Sequence, residues 1–385
     1  MTSENRPASG AAKGGMVLLP DRDNPTPATV TWSEGVIDQI GPPDLDVTGL
    51  PTIDASARLV LPGIIDVHGD AFERCVMPRG GVPIDTDIAL QDNDGQLLAA
   101  GITTSYLSAT DSWEPGLRSR ETLRALVGGL DRRVGGPDVL LHVRHERCNT
   151  DDLDELLAWI EAGTVRMLSY NDHTLGHGSS FGTPAKVSNT ALARSGMDHD
   201  TLLRLQSEAA ERRELGAVQE KALAEATEAA GCVTASHDAN SEEHLQRDLD
   251  LGVAIAEFPT SIELSLLYQQ EQIPVLFGAP NLVRGGSHLS NLSVGDALEA
   301  GVGEMLCSDY HYPSLLQAPF VAVANGLRTL GQAWRLVSTT PAAAAGLDDR
   351  GSLTVGQRAD ILVVDPPPPA GGPARIHRTI AAGTY

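Results

Sequence analysis

Short apolar runs and longer amphipathic segments alternate along the middle of the chain. The apolar runs are bounded by Gly, Pro, Asn or Asp, as buried strands are, and lie at 60–68, 102–108, 138–146, 165–171, 232–237, 253–257, 273–278 and 303–308. Helical periodicity follows at 85–100, 118–130, 151–162, 199–231, 241–250, 261–271, 294–301 and 314–330. Eight strands that alternate with helices predict an α/β fold, a (β/α)₈ barrel of the TIM type.

The two ends of the chain have a different pattern. Residues 13–60 and 347–385 contain short strand-like segments broken by Pro, Gly and Asp, such as "ATVTWSEGVIDQIG" and "GSLTVGQRADILVVD". We expect both ends to form one small β-sandwich domain, split by a barrel over residues 61–346. Residues 1–12 are polar and small, and we interpret them as a flexible tail.

Composition limits the classes of partner. The formal net charge of -23 argues against nucleic acid or an anionic membrane as the main partner. An anionic substrate would then need cations concentrated at its site. The chain begins without a signal-peptide pattern, has no apolar run of about 18 residues, and contains four cysteines without a CxxC pair. These features favour a cytoplasmic protein.

The predicted strand ends carry residues of the kind that bind metals. In "VLPGIIDVHGD", His68 and Asp70 are two positions apart, so in a strand they point to the same side. Four further strand ends supply Glu146, His173, His237 and Asp309. Each residue alone has a structural explanation, as a hydrogen-bonded histidine or a helix cap. Together, because catalytic residues of such barrels lie at carboxyl ends of strands, they indicate a metal centre.

This set of side chains is sufficient for two divalent ions. We expect His68, Asp70 and Asp309 to bind one ion and His173 and His237 the other. A bridging ligand is needed to hold two cations about 3.5–4 Å apart. None of the three lysines, Lys13, Lys186 and Lys221, lies at a barrel-strand end, so we predict Glu146 as the bridge. Imidazole and carboxylate ligands suit zinc first, with iron or manganese as alternatives.

The chain resembles the amidohydrolase superfamily. The segments "LPGIIDVHGD", "AAGITT" and "TTPAAAAGLDDRGSLTVGQRADILVVD" carry this resemblance. Closer segments, including "LHVRHE", "AIAEFPTS", "GAPNLVRGGSHLSN" and "SDYHYPSLL", resemble the diphosphatases of the carbon–phosphorus lyase pathway. The resemblance implies the same six metal ligands, an aspartate in the H-x-D motif, and α-D-ribose 1-methylphosphonate 5-triphosphate as substrate. The chain departs from the sequence pattern of that family at 93–95 and 174–200, near the expected mouth of the pocket.

The resemblance suggests a mechanism and an anion site. Asp309 is our candidate catalytic base for an activated water that attacks a phosphoric anhydride. The segment Arg284, Gly285, Gly286, Ser287 and His288 offers backbone and side-chain donors to a polyphosphate. Alternatively, it is a simple turn. Arg79 is a further candidate for substrate contact, or else a surface arginine.

Other functions stay open at this point. The same metal centre would also serve C–N hydrolysis of a cyclic amide, an N-acyl compound or a deaminase substrate, because a fold does not fix its substrate. A non-catalytic barrel with one structural metal is a further alternative. We expect a small anionic substrate and neither nucleic acid nor a membrane as partner. Assembly into a homo-oligomer stays open, and carbon–phosphorus lyase proteins are the expected pathway partners.

Overall fold

The computed structural model describes residues 9–174, 186–285 and 292–384. Within these ranges the strands are β1 Gly10–Val17, β2 Thr26–Ser33, β3 Val36–Gly41, β4 Thr52–Asp54, β5 Leu59–Pro62, β6 Ile64–Gly69, β7 Ile102–Asp111, β8 Asp138–Glu146, β9 Val165–Asn171, β10 Val233–His237, β11 Ile255–Glu257, β12 Val275–Gly278, β13 Met305–Cys307, β14 Ile361–Asp365 and β15 Arg375–Ile380.

The helices of the same ranges lie mostly between the barrel strands. They are α1 Glu73–Val76, α2 Thr86–Ala99, α3 Arg120–Arg132, α4 Leu153–Glu161, α5 Asn189–Ser195, α6 His199–Ala210, α7 Arg213–Ala230, α8 Glu242–Asp250, α9 Ile262–Gln270, α10 Ala279–Arg284, α11 Val294–Glu299, α12 Tyr312–Ala324, α13 Leu330–Arg335 and α14 Thr339–Ala344, with a 3₁₀ turn at Gly116–Arg118. Several begin at a polar cap: Asp85, Ser119, Ser241 and Ser261 each accept from a backbone N–H of the first turn.

Strands β6 to β13 form the barrel, and each pairs in parallel with the next in sequence order. The ring closes at its carboxyl end, where Asp309 N donates to His68 O at 3.0 Å and Asp70 N donates to Asp309 O at 3.1 Å. Apolar side chains such as Ile65, Tyr106 and Met167 fill the interior deeper in the barrel. The predicted barrel is therefore confirmed.

The terminal segments form one mixed sheet in the order β15-β14-β5-β1-β2-β3, with β4 beside β1. It has its own buried cluster, which includes Trp32, Ile361 and Val363. Trp32 Nε1 donates to Gly383 O at 3.2 Å and so links the two ends of the chain. The predicted pairing of the termini is confirmed, and we keep 13–60 plus 347–385 and 61–346 as the proposed division into domains.

Two sequence predictions need correction in the fold. Strand β1 begins at Gly10, and Ala11 and Ala12 are fully buried, so the tail prediction does not hold for residues 10–12. The single helix predicted at 199–231 is two helices, α6 and α7. Ion pairs from Arg212 to Asp151 and from Arg213 to Asp172 hold the turn between them, and helical periodicity contains no signal for such a break.

No helix of the described residues is long and apolar enough to cross a bilayer.

One glycine sets how closely α7 approaches the barrel. A Cβ added at Gly216 would overlap the carbonyl oxygen of Arg147, which follows β8. We expect Gly216→Ala to lower the free energy of unfolding by about 1–3 kcal/mol, as overpacking does. Gly128→Ala in α3 is the control, because the added methyl meets only the flexible end of Arg132 and should stabilise by up to about 1 kcal/mol. Thermal or urea denaturation measures both, and a Gly216→Ala protein as stable as wild type would contradict the close contact.

Candidate metal centre

The carboxyl ends of the barrel strands carry the six residues that the sequence nominated as ligands: His68, Asp70, Glu146, His173, His237 and Asp309. They lie around two adjoining cavities. The central lobe, of about 200 Å³, is lined by His68, Asp70, Arg144, His237, Asp238 and Asp309, among others. The side lobe, of about 180 Å³, is lined by Trp113, Arg118, Glu146, His173, Lys186 and Arg194, among others. The structure thus brings all six together, and their role as ligands stays a prediction.

His68 is held by a carboxylate that the sequence analysis did not nominate. Its Nδ1 lies 2.7 Å from Glu257 Oε1, and both side chains are almost completely buried. Ser169 donates to the other oxygen of Glu257 at 2.8 Å. Burial alone would lower the pKa of His68, but the Glu257 carboxylate raises it. A carboxylate on Nδ1 fixes the ring and leaves Nε2 available to a metal, as in many histidine sites.

His173 is held in the same way by Glu146. The Glu146 Oε1 lies 2.6 Å from His173 Nδ1, and Oε2 accepts from the backbone N of His173 at 2.9 Å. Although burial opposes this, the Glu146 charge raises the pKa of His173 to about 9. Glu146 therefore has both oxygens engaged with His173, an arrangement that orients this ring, and its role as a bridge stays a prediction.

His237 and Asp238 occupy the space between the two pairs. Burial lowers the pKa of His237 to about 4, so its ring is neutral at pH 7. Its Nδ1 lies 3.1 Å from Asp238 Oδ2, yet it has no well-formed hydrogen bond among the described residues. Asp238 Oδ2 also lies 3.4 Å from His173 Nε2. A buried imidazole nitrogen without a partner, beside a carboxylate, is suited to a metal ion.

Arg144 brings a positive charge into the central lobe. Its side chain is only 5% exposed; Nη1 lies 3.4 Å from Asp70 Oδ2 and Nη2 lies 3.2 Å from His237 Nε2. Its Nε has no hydrogen-bond partner among the described residues. Because arginine stays charged in proteins, this guanidinium partly neutralises the surrounding carboxylates and has donors to offer a ligand.

Asp309 closes the lobe from the last strand. Its backbone has a φ of 52°, and Asp238 and Phe258 at neighbouring strand ends have φ of 57° and 56°. Desolvation, together with the nearby charge of Asp70, raises the pKa of Asp309 to about 7. Gly278 leaves room for it, because a Cβ there would lie 3.1 Å from Asp309 Oδ2.

The residues present fit a divalent metal. Within the described ranges, His68, His237 and Glu257 can bring ligand atoms within 4.8 Å of one another, and so can His173, His237 and Asp238. Neutral imidazoles and carboxylates without thiolates are the ligands of zinc, iron and manganese sites. The site therefore contains metal-binding groups, and the number and identity of the ions stay predictions.

The predicted substrate residues lie further out. Arg284 and Gly285 form the exposed end of α10, a helix that reaches the central lobe through Asn281. Gly286, Ser287 and His288 lie outside the described residues. Arg79 is exposed on the loop after α1.

Sequence reasoning missed Arg144, Asp238 and Glu257 as members of the site. A signal for each was present. Arg144 shares the inward face of β8 with His142 and Glu146, Asp238 directly follows His237, and Glu257 ends the strand of "AIAEFPTS". A buried charge at the end of a barrel strand needs a partner, and that requirement would have identified Glu257.

A parallel barrel that groups imidazoles and carboxylates at the ends of its strands is typical of metal-dependent hydrolases. A family model described as "Amidohydrolase family" matches residues 320–385. The alpha-D-ribose 1-methylphosphonate 5-triphosphate diphosphatase of Escherichia coli (strain K12) is 31% identical over 323 residues, 81% of this chain and 84% of that protein. The chain belongs to the amidohydrolase superfamily.

Solved structures agree on the fold. A putative prolidase from Bifidobacterium longum has a TM-score of 0.63 at 18% identity, over 98% of this chain and 94% of the other. D-hydantoinase from Bacillus sp. AR9 has a TM-score of 0.64 at 15% identity, with coverages of 98% and 94%. N-acetylglucosamine-6-phosphate deacetylase from Pasteurella multocida has a TM-score of 0.62 at 12% identity, over 97% of this chain and 98% of the other. At these identities the likeness concerns the fold alone.

The His68–Glu257 pair leads to a test of metal binding. We expect Glu257→Gln to weaken metal affinity about 10–100-fold, because the amide holds His68 less firmly and removes charge. Titration of the metal-free protein with zinc against a chromophoric chelator measures this. Glu263→Gln, on the exposed face of α9, is the control and should bind as wild type does. Unchanged affinity in Glu257→Gln would show that His68 does not need this carboxylate.

Proposed function

We propose that this protein hydrolyses a phosphoric anhydride and removes pyrophosphate from α-D-ribose 1-methylphosphonate 5-triphosphate, leaving the 5-phosphate. The observation that carries the proposal is the 31% identity to the Escherichia coli diphosphatase, which extends over 81% of this chain. Carbon–phosphorus lyase proteins as pathway partners belong to the same proposal.

We further propose that the centre binds two divalent ions, with zinc favoured. His68, Asp70 and Asp309 would hold one ion, and His173 and His237 the other. Asp238 joins this set because it lies within reach of both His173 and His237. Glu146 remains the proposed bridge, and because both of its oxygens contact His173, it also orients that ring.

The surrounding residues supply the rest of the chemistry. Divalent ions in such centres lower the pKa of water to about 7 and neutralise charge on phosphoryl oxygens. Asp309 takes the proton from the attacking water as the water oxygen bonds to the α-phosphorus. The bond from that phosphorus to the α–β bridging oxygen breaks, and pyrophosphate leaves with the electron pair. Arg144 donates to the phosphoryl oxygens, where negative charge develops.

The reaction class has a direct test. Metal-loaded protein should release pyrophosphate from α-D-ribose 1-methylphosphonate 5-triphosphate, as measured by a coupled pyrophosphate assay. Activity on cyclic amides or N-acyl substrates, without any on anhydrides, would support C–N hydrolysis instead. Less than one metal ion per chain together with no turnover would favour the non-catalytic alternative.

Asp309→Asn separates proton transfer from folding. At saturating metal we expect it to lower kcat by about 10²–10⁴, the range for removal of a general base, since the amide oxygen can still bind the ion that Asp309 would hold. Asp296→Asn, in the first turn of α11, is the matched control and should keep its activity. A near-normal rate in Asp309→Asn would end the general-base assignment.

Arg144→Met tests the guanidinium in the central lobe. We expect a loss of about 10²-fold or more in kcat, because a charge that stabilises the transition state is removed. Arg144→Lys should restore part of it, since the charge returns without the two-pronged geometry. Equal loss in both variants, with normal metal content, would indicate that the side chain acts only in packing.

A further inference from the structure

The two lobes of the site are lined by different sets of charged side chains. The central lobe is lined by one cation, Arg144, and by three carboxylates: Asp70, Asp238 and Asp309. The side lobe is lined by three cations, Arg118, Lys186 and Arg194, and by two carboxylates, Glu114 and Glu146. Glu146 is engaged with His173. On a chain with a net charge of -23, a cavity lined by three cations is an unusual feature that favours an anion.

The arginines of the side lobe retain unused donors. Arg118 binds Glu73 through Nε and Nη2 at 2.9 and 3.2 Å. Arg194 binds Glu114 through Nε and Nη2, both at 2.7 Å. Each such pair uses two of the five N–H groups of a guanidinium. The carboxylates hold both side chains in place, and the remaining edges are available to a ligand.

Glycines fix the position of Arg194. A Cβ on Gly116 would lie 2.5 Å from Arg194 O, and a Cβ on Gly80 would lie 2.9 Å from Ala193 O. Helix α5 therefore packs backbone to backbone on the loops that follow β6 and β7. The same close packing places the exposed Arg79 beside this helix. The backbone of Arg194 is thus held by close packing on both loops.

The side lobe also offers groups for a sugar. Gln206 is 5% exposed; it donates to Thr174 O at 3.0 Å, while its Oε1 has no partner among the described residues. The hydroxyl of Thr110 is likewise buried and has no partner there. Both residues line the lobe, as does the indole of Trp113, which donates to Thr174 Oγ1 at 2.8 Å. An unpaired buried acceptor favours a ligand hydroxyl, and an aromatic wall suits the apolar face of a sugar ring.

We propose that the side lobe binds the part of the substrate that is retained after cleavage: a hydroxylated sugar ring that carries a second phosphonate or phosphate group. The inference rests on the proposed function, because the reacting phosphate then lies in the central lobe and the sugar extends past His173. Small-molecule pockets typically have volumes of about 300 Å³ or more. Each lobe alone is smaller than this, whereas the combined volume of the two lobes exceeds it. A triphosphate without the second anion would leave Lys186 and the remaining N–H groups of Arg118 and Arg194 without an anionic ligand.

Two substrates and one pair of variants test the proposal. The substrates are α-D-ribose 1-methylphosphonate 5-triphosphate and ribose 5-triphosphate, which lacks the second anion. Lys186→Gln removes an exposed cation from the side lobe, and Lys221→Gln removes an exposed lysine of α7 that lies outside both lobes. The measured quantity is the ratio of kcat/KM for the two substrates.

We expect wild type to prefer the doubly anionic substrate, and Lys186→Gln to reduce that preference about five-fold, while Lys221→Gln preserves it. A preference that Lys186→Gln leaves unchanged would overturn the proposal, as would the lack of any preference in wild type. Arg194→Lys, which retains a charge but loses the two-pronged pairing with Glu114, should reduce the preference as well.

Binding of the product separates this inference from the proposed function. Calorimetry with α-D-ribose 1-methylphosphonate 5-phosphate needs no turnover. If wild type hydrolyses neither substrate but binds this compound more tightly than Lys186→Gln does, the reaction proposal fails and the side lobe assignment stands. If wild type binds it no more tightly than ribose 5-phosphate, the assignment fails whatever the activity.

Discussion

The two edges of the barrel sheet meet at a buried carboxylate, and the whole site depends on that meeting. Asp66 on β6 is completely buried and accepts from Ser308 N at 2.9 Å and from Ser308 Oγ at 2.6 Å, across 242 positions of sequence. Two backbone bonds between 68–70 and Asp309 complete the seam. His68, Asp70 and Asp309 lie directly above these hydrogen bonds. The closure of the ring therefore also positions these three residues of the central lobe.

This seam also explains Gly69, which sits between the first two predicted ligands. A Cβ at this position would lie 2.6 Å from Asp66 Oδ2 and 3.0 Å from Ser308 Oγ. Its φ is not in the left-handed region, so space rather than backbone conformation requires glycine. The H-x-D spacing is therefore imposed by two demands at once. The outer residues face the lobe, and the middle one must leave the closing hydrogen bonds undisturbed.

The sequence alone was sufficient for the fold and for the residues at strand ends, because both follow from local patterns. Apolar runs of the length of a strand indicate the barrel, and polar residues where those runs end indicate its active face. It was not sufficient for relationships between strands. That Glu257 holds His68, or that Glu146 holds His173, depends on which strand ends become neighbours in the ring. For the same reason, the sequence did not show that the six predicted ligands are divided between two lobes.

Arginine 144 shows why charge must be weighed across strands as well. Inward alternation on β8 places it beside Glu146, but its contacts are with Asp70 and His237 on two other strands. Three acidic side chains in one small cavity repel each other strongly at low dielectric, and the guanidinium of Arg144 offsets part of that repulsion. Divalent ions would complete the neutralisation. Arg144 thus lowers the electrostatic cost of grouping these carboxylates, and the central lobe keeps more carboxylates than cations.

The backbone of the site is conformationally strained, and the free-energy cost of this strain must be offset by the rest of the barrel. Asp238, Phe258 and Asp309 follow three of the four last strands of the ring, and each has a positive φ, which costs of order 1–3 kcal/mol for a residue other than glycine. The conformation turns the chain sharply at the strand end, so that Asp238 reaches back to His237 and His173. Such strain persists only where packing overdetermines it, and here the fully buried interior of Ile65, Tyr106, Met167 and Leu276 lies directly beneath. The rigid lower barrel thus allows the upper rim to hold charged residues in conformations that they would not adopt alone.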